Sequence, residues 1–223
     1  MCGRFTLTID PATLQETFGE YIFPASFAPR FNIAPTQPVL AIPNDGKHQA
    51  DFFIWGLIPS WAKDPVIGNR LINARAETLA EKPSFRGGFK YKRCLILADG
   101  FYEWKAQPGT KTKVPHFIHK KDRKPFAFAG LWDNWNSPDG SAVKSCTIIT
   151  TEPNELMAGL HNRMPVILQP ADYEQWLDPS PRTPDSLVPY LKPFPAGEMS
   201  AYPVSTLVNS PANERPELVV PLH

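Results

Sequence analysis

Cysteine is scarce in this sequence, with three residues, Cys2, Cys94 and Cys146, standing far apart among 223. An odd number of widely spaced cysteines argues against a disulfide framework and against a structural zinc site. Cys94 and Cys146 lie in apolar runs, so we expect both in the core. The sequence also lacks a Gly-rich phosphate loop, a cluster of metal ligands, heptads and internal repeats. These absences predict a protein without a bound metal or another cofactor.

Long hydrophobic runs are absent as well. No apolar stretch approaches the ~18 residues of a membrane-spanning helix. The N-terminus lacks the basic and apolar regions of a signal peptide. We therefore expect a cytoplasmic protein with no membrane partner.

The net charge is small, +1 at neutral pH, but it is unevenly distributed. Residues 63–124 contain 15 Lys and Arg against 6 Asp and Glu, whereas 1–62 and 125–223 carry net charges of −2 and −6. A basic tract between acidic segments is typical of a surface that binds a polyanion such as nucleic acid. A solvated basic face without a partner is about equally consistent with the charge alone.

Proline is abundant, and its 26 residues predict many extended segments and rigid turns. A hydrophobic content of 42% is ordinary for a globular protein, and 223 residues suit one core. We therefore expect a single domain over residues 1–223, rich in strands and loops.

Turn signals and apolar periodicity predict the order of elements. Asp10 and Pro11 are typical of the cap and first turn of a short helix, and the segment 44–46, Asn-Asp-Gly, is typical of a hairpin turn. The stretch 21–38 is predicted to be an ordered loop and 133–141 a surface loop. The predicted strands are 39–42, 52–55, 94–98, 101–105, 114–119, 126–132 and 145–151, and short helices are predicted near 153–159 and over 170–177.

The sequence begins Met-Cys-Gly-Arg-Phe. Methionine aminopeptidase removes Met1 when the next side chain is small, so we expect a mature chain that starts at Cys2. Its thiol and α-amine would then stand on adjacent carbons and titrate near ~8.5 and ~8. Such a 1,2-aminothiol can attack an amide carbonyl, or condense with an aldehyde to a thiazolidine ring. The alternative interpretation is a small hydrophobic residue at the start of a strand.

Three further polar residues are embedded in apolar stretches. Asn73 lies where a strand is predicted to pass into a short helix, a position that often carries sites. Glu103 alternates with Tyr102 and Trp104 along a strand and points to the opposite face. It is either an edge residue facing water or a functional acid. His161 follows a predicted helix.

Four motifs carry these residues in one order: Met-Cys-Gly-Arg-Phe, Leu-Ile-Asn-Ala-Arg-Ala-Glu-Thr, Ala-Asp-Gly-Phe-Tyr-Glu-Trp-Lys and Leu-His-Asn-Arg-Met-Pro. With them the chain closely resembles, over nearly its whole length, the SRAP family of SOS-response-associated peptidase-like proteins. The resemblance implies a mixed α+β fold with a distorted, barrel-like β core and a basic groove, to which this sequence adds short helices and Pro-rich loops. It also implies a protein that recognises abasic sites in single-stranded DNA and crosslinks to them through Cys2. Asn162 departs from relatives that have an acid there, and we assign it no role.

The chemistry of the four residues fits that implication. An abasic deoxyribose is partly a ring-opened aldehyde, which the Cys2 amine would convert to a Schiff base before the thiolate closes the ring. Glu103 is the candidate general acid and base, because aromatic neighbours raise the pKa of a carboxyl. His161 is the candidate proton donor to the sugar oxygen, since imidazole exchanges protons near neutral pH. Asn73 is expected to orient the amine or a sugar hydroxyl.

The predicted partner is single-stranded DNA that contains abasic sites, bound by a monomer that would be nucleoid-associated when on DNA. Arginines close to the catalytic candidates are expected to hold phosphates, and flat apolar side chains to stack or wedge against bases. The candidate DNA-binding residues are Arg4, Arg75 and Arg163 for phosphates, Pro35, Trp61 and Trp104 for stacking, and Asn32 and Thr150 for polar backbone contacts. Core packing is the alternative for each aromatic, and we favour it for Trp55 and Trp132.

Three other functions remain open from the residues. An N-terminal-nucleophile amidohydrolase, similar to class II glutamine amidotransferases, also begins Met-Cys-Gly and would use Cys2 against a glutamine side chain. That family's further motifs are absent, and Glu103 and His161 would have no clear task. A peptidase activity would be limited to removal of Met1. A non-catalytic nucleic-acid-binding module would not need Cys2.

Overall fold

The computed structural model describes residues 2–110 and 112–222. Strands are the main elements of these residues, and most belong to two sheets. In chain order they are β1 (Phe5–Leu7), β2 (Arg30–Ile33), β3 (Pro38–Pro43), β4 (Asp51–Trp55), β5 (Asn73–Arg75), β6 (Arg93–Ala98), β7 (Gly100–Ala106), β8 (Lys113–Lys120), β9 (Phe126–Asn136), β10 (Ala142–Thr151), β11 (Met164–Pro165), β12 (Ile167–Leu168) and β13 (Met199–Pro203).

The helices are short and lie in the connections between strands. The α-helices are α1 (Pro11–Thr17), α2 (Arg86–Tyr91), α3 (Glu155–Ala158), α4 (Tyr173–Trp176) and α5 (Pro184–Leu187). Single turns of 3₁₀ helix are Pro65–Arg70, Ala76–Thr78, Pro170–Asp172, Val188–Tyr190, Ala196–Glu198, Thr206–Asn209 and Pro216–Val219. Asp10 and Asn154 cap α1 and α3, each accepting a hydrogen bond of 2.9 Å from a backbone N–H of the first turn.

Five strands close into a barrel. β9 pairs with β6 and β10, β10 pairs with β4, and β4 returns through β3 to β6. Of these pairings only that of β10 with β4 is parallel. β5 lies farther along the same side of β10 and is also parallel to it, with Arg75 opposite Thr150. Closure leaves the ring without a free edge, and β4 and β5 both reach one strand, β10.

A second sheet has the order β13-β8-β7-β1-β2 and is antiparallel throughout. β1 lies between β2 and β7, with Phe5 opposite both Ile33 and Phe101. The backbone N–H of Tyr102 donates to the carbonyl of Arg4 at 2.9 Å, which extends the contact with β7 toward Cys2. The sheet therefore brings the start of the chain next to the middle of β7.

The core lies inside the barrel and between the two sheets. The ring of Phe5 packs edge-on against Trp55 and Phe128, with centroids 5.1 and 5.6 Å apart. Inside the barrel the backbones approach closely at Gly130, where a Cβ would lie 2.7 Å from Ile96 Cδ1 and 3.0 Å from the carbonyl of Thr147. Only glycine fits there without a shift of its neighbours.

The chain leaves the barrel after β4 and returns at β5. At the base of this excursion Gly56 and Gly68 touch, because a Cβ on Gly56 would lie 2.7 Å from the carbonyl oxygen of Gly68. Gly56 has φ +135, a conformation that side chains other than glycine rarely adopt. The Leu57 N–H donates to the Leu71 carbonyl at 3.1 Å. The glycine contact and this hydrogen bond hold the two ends of the excursion together beside β10.

The fold class expected from the sequence, α+β with a distorted, barrel-like mixed β core, short helices and Pro-rich loops, is confirmed. The hairpin of β3 and β4, the capped α1 and the burial of Cys94 and Cys146 agree with the predictions. Two loop predictions are wrong. The stretch 21–38 contains β2, which pairs with β1, and β9 continues to Asn136 because it pairs with the start of β10. Helix α2 was not predicted.

Candidate active site

Cys2 is fully buried immediately before β1. Its Sγ lies 3.9 Å from the backbone carbonyl of Arg4. Burial raises the pKa of the Cys2 thiol well above its usual value, and the charge of Glu103 raises it further. The thiol is therefore neutral in this form and needs a base before it can react. The predicted removal of Met1 concerns a residue outside the described part of the chain.

Asn73, the first residue of β5, holds Cys2 from the side of the barrel. Its Nδ2 donates to the backbone carbonyl of Cys2 at 2.8 Å. Its Oδ1 is buried and accepts no hydrogen bond from the described residues. A buried acceptor without a donor is costly, so this oxygen is ready for a donor such as an amine or a hydroxyl.

Glu103 lies on β7, opposite His116 of β8, with its side chain 2% exposed. Burial raises the pKa of its carboxyl, while the charge of His161 opposes that shift. The same carboxyl acts on the Cys2 thiol. Glu103 therefore interacts electrostatically with both Cys2 and His161, as an acid that can hold or release a proton between them.

His161 follows α3 and is half-buried. The backbone N–H of Arg163 donates to its Nδ1 at 3.0 Å. The same Nδ1 lies 3.3 Å from the carbonyl oxygen of Arg163. The backbone of Arg163 therefore holds the ring on its Nδ1 side. The structure brings all four predicted catalytic residues together from four separate parts of the sequence.

The three predicted phosphate-binding arginines differ in their surroundings. Arg75 is exposed at the end of β5. Arg4 donates from Nη1 to Asn32 Oδ1 and to the Val208 carbonyl, each at 2.8 Å, and its guanidinium lies 5.9 Å from the ring centroid of Trp104. Burial lowers the pKa of Arg4. Arg75 alone of the three projects into solvent without a side-chain hydrogen bond to the described residues.

Arg163 is paired with an acid that the sequence did not single out. Its Nη1 and Nη2 donate to the two carboxylate oxygens of Glu77 at 2.7 and 2.9 Å, and Nη2 also donates to the Thr150 carbonyl at 2.6 Å. The hydrogen bond from Arg163 lowers the pKa of Glu77. Glu77 stands two positions after Arg75 in one motif, and that placement was the only sequence signal for it.

Asn32 and Thr150 support the site from inside the protein. Both are fully buried. Nδ2 of Asn32 donates to carbonyls of the C-terminal segment, 2.9 Å to Ser210 and 2.8 Å to Asn213, and Oγ1 of Thr150 donates to Ala74 at 3.4 Å. The structure therefore gives these side chains internal contacts, whereas the sequence suggested contacts with DNA.

The predicted stacking residues lie at or near the surface. Trp61 is 59% exposed, as expected for a Pro-flanked tryptophan. Trp104 is half-buried and donates from Nε1 to Asn209 Oδ1 at 2.8 Å. Pro35 is half-buried and precedes Thr36, whose φ of +72 is unusual for a β-branched residue. Trp55 is buried in the core as predicted, and Trp132 is partly buried against it.

Sequence reasoning also missed the C-terminal segment. Glu214 accepts from the backbone N–H groups of Phe31 and Asn32 and from Nε of Arg30. This carboxylate fixes β2, and β2 in turn presents Asn32 to Arg4. The contact joins residues more than 180 positions apart, and no local pattern marks it.

Within the described ranges no group of three or more His, Cys, Asp or Glu side chains is arranged to hold a metal ion. No helix of that same part of the chain is long and apolar enough to cross a membrane.

Comparisons with known proteins agree with the motifs. The family model described as SOS response associated peptidase (SRAP) matches residues 1–211. Abasic site processing protein YoqW of Bacillus subtilis is 50% identical over 98% of this chain and 99% of its own length. Abasic site processing protein HMCES of Gallus gallus is 31% identical over 100% of this chain and 78% of its own. A crystal structure of a Bacteroides thetaiotaomicron protein superposes with a TM-score of 0.88 at 28% identity, covering all of both chains.

Proposed function

Because the chain belongs to the SRAP family, we propose that it processes abasic sites in single-stranded DNA by forming a covalent crosslink through Cys2. The observation that carries the proposal is the group of Cys2, Asn73, Glu103 and His161, in which one buried carboxyl influences a thiol and is influenced by an imidazole. The names of the relatives, abasic site processing proteins, support the same activity. We take residues 1–223 as one domain with this function, acting as a monomer.

The reactive form has lost Met1, whether by an aminopeptidase or by the chain itself, and carries a free amine on Cys2. That amine adds to the C1′ aldehyde of the ring-opened sugar, and loss of water gives a Schiff base. An amide nitrogen is delocalised into its carbonyl and cannot take this step. The Nδ2 of Asn73 holds the Cys2 carbonyl, and the Oδ1 of the same amide accepts no hydrogen bond from the described residues. This arrangement supports a role for Asn73 in orienting the amine.

Glu103 moves the protons. Burial raises the pKa of its carboxyl, so it can donate to the hydroxyl that leaves as water and then accept a proton from the thiol. His161 donates a proton to the sugar oxygen released by ring opening. Asn73, Glu103 and His161 would therefore act on different groups. Asn73 acts on the amine, Glu103 on the leaving hydroxyl and the thiol, and His161 on the sugar oxygen.

Ring closure completes the crosslink. The thiol gives its proton to the Glu103 carboxylate, and the sulfur adds to the carbon of the protonated Schiff base. The nitrogen keeps its own hydrogen, and a neutral five-membered thiazolidine forms. Full burial of Cys2 supports a long-lived product, since water has little access to the ring. Fast closure also removes the Schiff base before it can promote strand cleavage, so lyase activity would be weak.

Arg75, Arg4 and Arg163 would neutralise phosphates on either side of the lesion. Trp61, Trp104 and Pro35 would stack against neighbouring bases. In solution such a protein would be cytoplasmic and would associate with the nucleoid through abasic DNA. No observation favours the amidohydrolase alternative, and a glutaminase assay addresses it directly.

The test is a denaturing gel with a single-stranded oligonucleotide that contains one abasic site. A shifted band that survives heat and denaturant is expected for the wild-type protein and not for Cys2→Ala. The matched control is the same oligonucleotide after borohydride reduction, which removes the aldehyde and should abolish the band. A second arm uses protein in which an uncleavable residue precedes Cys2, and it should give no stable adduct. A crosslink that persists in Cys2→Ala would overturn the proposal.

A further inference from the structure

The 3₁₀ turn Thr206–Asn209 of the C-terminal segment lies against the second sheet. Val208 of this turn is fully buried in one apolar cluster with Tyr102 of β7. From farther along the chain, Nδ2 of Asn213 donates to the Leu207 carbonyl at 2.7 Å. The turn is therefore fixed on the sheet by a buried side chain and braced by its own continuation.

The side chain of Asn209, the last residue of this turn, holds Trp104. Its Oδ1 accepts a hydrogen bond from Nε1 of Trp104 at 2.8 Å. Trp104 is half-buried and follows Glu103 on β7, with its side chain on the opposite face of the sheet. Packing alone leaves a half-buried indole several orientations, and a hydrogen bond at the ring edge selects one of them. Asn209 therefore sets the orientation of the Trp104 ring.

The same turn also holds Arg4, which stands two positions after Cys2. Nη1 of Arg4 donates to the Val208 carbonyl at 2.8 Å, and Nη2 donates to the Asn209 carbonyl at 3.5 Å. The guanidinium carbon lies 5.9 Å from the ring centroid of Trp104, within the range of a cation–π interaction. Asn209 thus contacts both members of this pair, the indole through its side chain and the guanidinium through its backbone.

The oxygens that accept from Arg4 leave its charge uncompensated. Besides the two carbonyls, the described acceptor is Oδ1 of Asn32, at 2.8 Å. All of these oxygens are uncharged, whereas the guanidinium of Arg163 is paired with the carboxylate of Glu77. A carboxylate at position 209 would also accept from the indole, but it would place a negative charge beside Arg4. The amide supplies the hydrogen bond and leaves the attraction of Arg4 for a phosphate intact.

We propose that Asn209 is a positioning residue for DNA binding, which fixes the indole of Trp104 against Arg4 before the strand arrives. The inference rests on the proposed function, in which Trp104 stacks on a base and Arg4 holds a phosphate. It adds a residue that acts through those two side chains and not by its own contact with DNA. Preorganisation of this kind reduces the side-chain entropy that is lost on binding.

The first measurement observes the hydrogen bond in the absence of DNA. Protein labelled with ¹⁵N-tryptophan gives one indole N–H signal for each of its six tryptophans, and the signal missing from Trp104→Phe belongs to Trp104. Asn209→Leu removes the acceptor at similar side-chain size, so this signal should move upfield and its proton should exchange faster with water. Asn209→Asp keeps an acceptor and should keep the signal downfield. The remaining indole signals should not move, which shows that the variants are folded.

The second measurement is the Kd for an undamaged single-stranded oligonucleotide, by fluorescence anisotropy at several salt concentrations. Asn209→Leu should weaken binding about three- to tenfold at every salt concentration, which is part of the loss expected when one base no longer stacks. Asn209→Asp should weaken binding at low salt and approach wild type as salt screens the added charge. Gln175→Leu, which changes an exposed amide on α4, is the control and should bind as wild type.

A double-mutant cycle separates positioning from a direct contact between Asn209 and DNA. Trp104→Phe keeps an aromatic ring but removes the N–H donor. Addition of Asn209→Leu to Trp104→Phe should therefore change the Kd less than about twofold. The crosslinking rate of Asn209→Leu at saturating protein should also stay within about twofold of wild type, because Asn209 acts on binding and not on proton transfer.

An equal loss of affinity from Asn209→Leu in both backgrounds would overturn the inference, because Asn209 would then contact the DNA itself. An unchanged Trp104 indole signal in Asn209→Leu, or an unchanged Kd, would overturn it as well. Failure of the proposed function is a separate result. If wild type formed no abasic crosslink, that function would be rejected, and the indole spectra and the affinities for undamaged DNA would still test the role of Asn209.

Discussion

The side-chain amide of Asn73 donates a 2.8 Å hydrogen bond to the backbone carbonyl of Cys2. This bond ties Cys2, the proposed nucleophile, which lies before β1 of one sheet, to β5 beside the barrel. The oxygen of the same amide, Oδ1, is buried and accepts no hydrogen bond from the described residues. One residue therefore fixes Cys2 and offers an acceptor next to it.

Replacement of Asn73 by Ala removes both contacts. Because small errors in position cost large factors in rate, we expect crosslinking of an abasic oligonucleotide to slow about 10- to 100-fold, with noncovalent affinity nearly unchanged. Single-turnover gel assays at saturating protein measure the rate, and anisotropy with undamaged DNA measures the affinity. Parallel loss of rate and affinity would show that Asn73 serves DNA binding instead.

Glu103→Gln keeps the shape of the side chain but cannot exchange a proton. We expect crosslinking to slow by about 10² to 10⁴, the usual loss when an acid or base is removed, and we expect the same range for His161→Ala. DNA affinity should remain close to wild type. A Glu103→Gln rate within a factor of about three of wild type would exclude the carboxyl from proton transfer.

The buried carboxyl of Glu103 also makes folding depend on pH. Burial raises the pKa of Glu103 in the folded protein, whereas a glutamate in an unfolded chain titrates near ~4.3. Below the unfolded value both states hold the proton, and the contribution of Glu103 to stability is fully present. As the pH rises through that value, the unfolded chain ionises first and the contribution of Glu103 to stability begins to fall. The contribution is fully lost once the pH has risen above the folded pKa.

The glutamine of Glu103→Gln does not titrate. The free energy of unfolding of this variant, relative to that of wild type, should therefore increase between about pH 4 and about pH 7. Urea denaturation at the two pH values measures the difference. Glu16→Gln, an exposed position on α1, is the control and should show no such trend. A variant that loses stability relative to wild type over this range would mean that the carboxyl is favoured as an anion in the fold.

Glu77 neutralises Arg163 through two hydrogen bonds of 2.7 and 2.9 Å. A phosphate that binds Arg163 has to compete with this carboxylate. We expect Glu77→Gln to tighten noncovalent DNA binding about three- to tenfold at low salt, and Arg163→Ala to weaken it. Anisotropy titrations at several salt concentrations measure both, with Glu81→Gln as an exposed control. Weaker binding by Glu77→Gln would mean that the pair positions Arg163 for DNA.

The sequence was most informative where polar residues interrupt apolar strands. Asn73 and Glu103 stood out because a core strand rarely carries an amide or a carboxyl without a reason, and the structure brings both to Cys2. The partner of Arg163 was missed because its carboxylate lies on another element. The role of Asn32 depends on carbonyls of residues 208–213, which approach only after the chain has folded. Strand β2 was hidden by flanking prolines, since its pairing with β1 outweighs local turn signals.

The central claim is that both the nitrogen and the sulfur of Cys2 end in the crosslink. The protein has three free cysteines, Cys2, Cys94 and Cys146, and each reacts with iodoacetamide once the chain is denatured. The purified adduct is denatured, briefly alkylated, freed of DNA by nuclease and weighed by mass spectrometry. A thiazolidine predicts two alkyl groups, on Cys94 and Cys146, and none on Cys2. Three alkyl groups on the adduct would show that the Cys2 sulfur is free, and the ring-closure account would be contradicted.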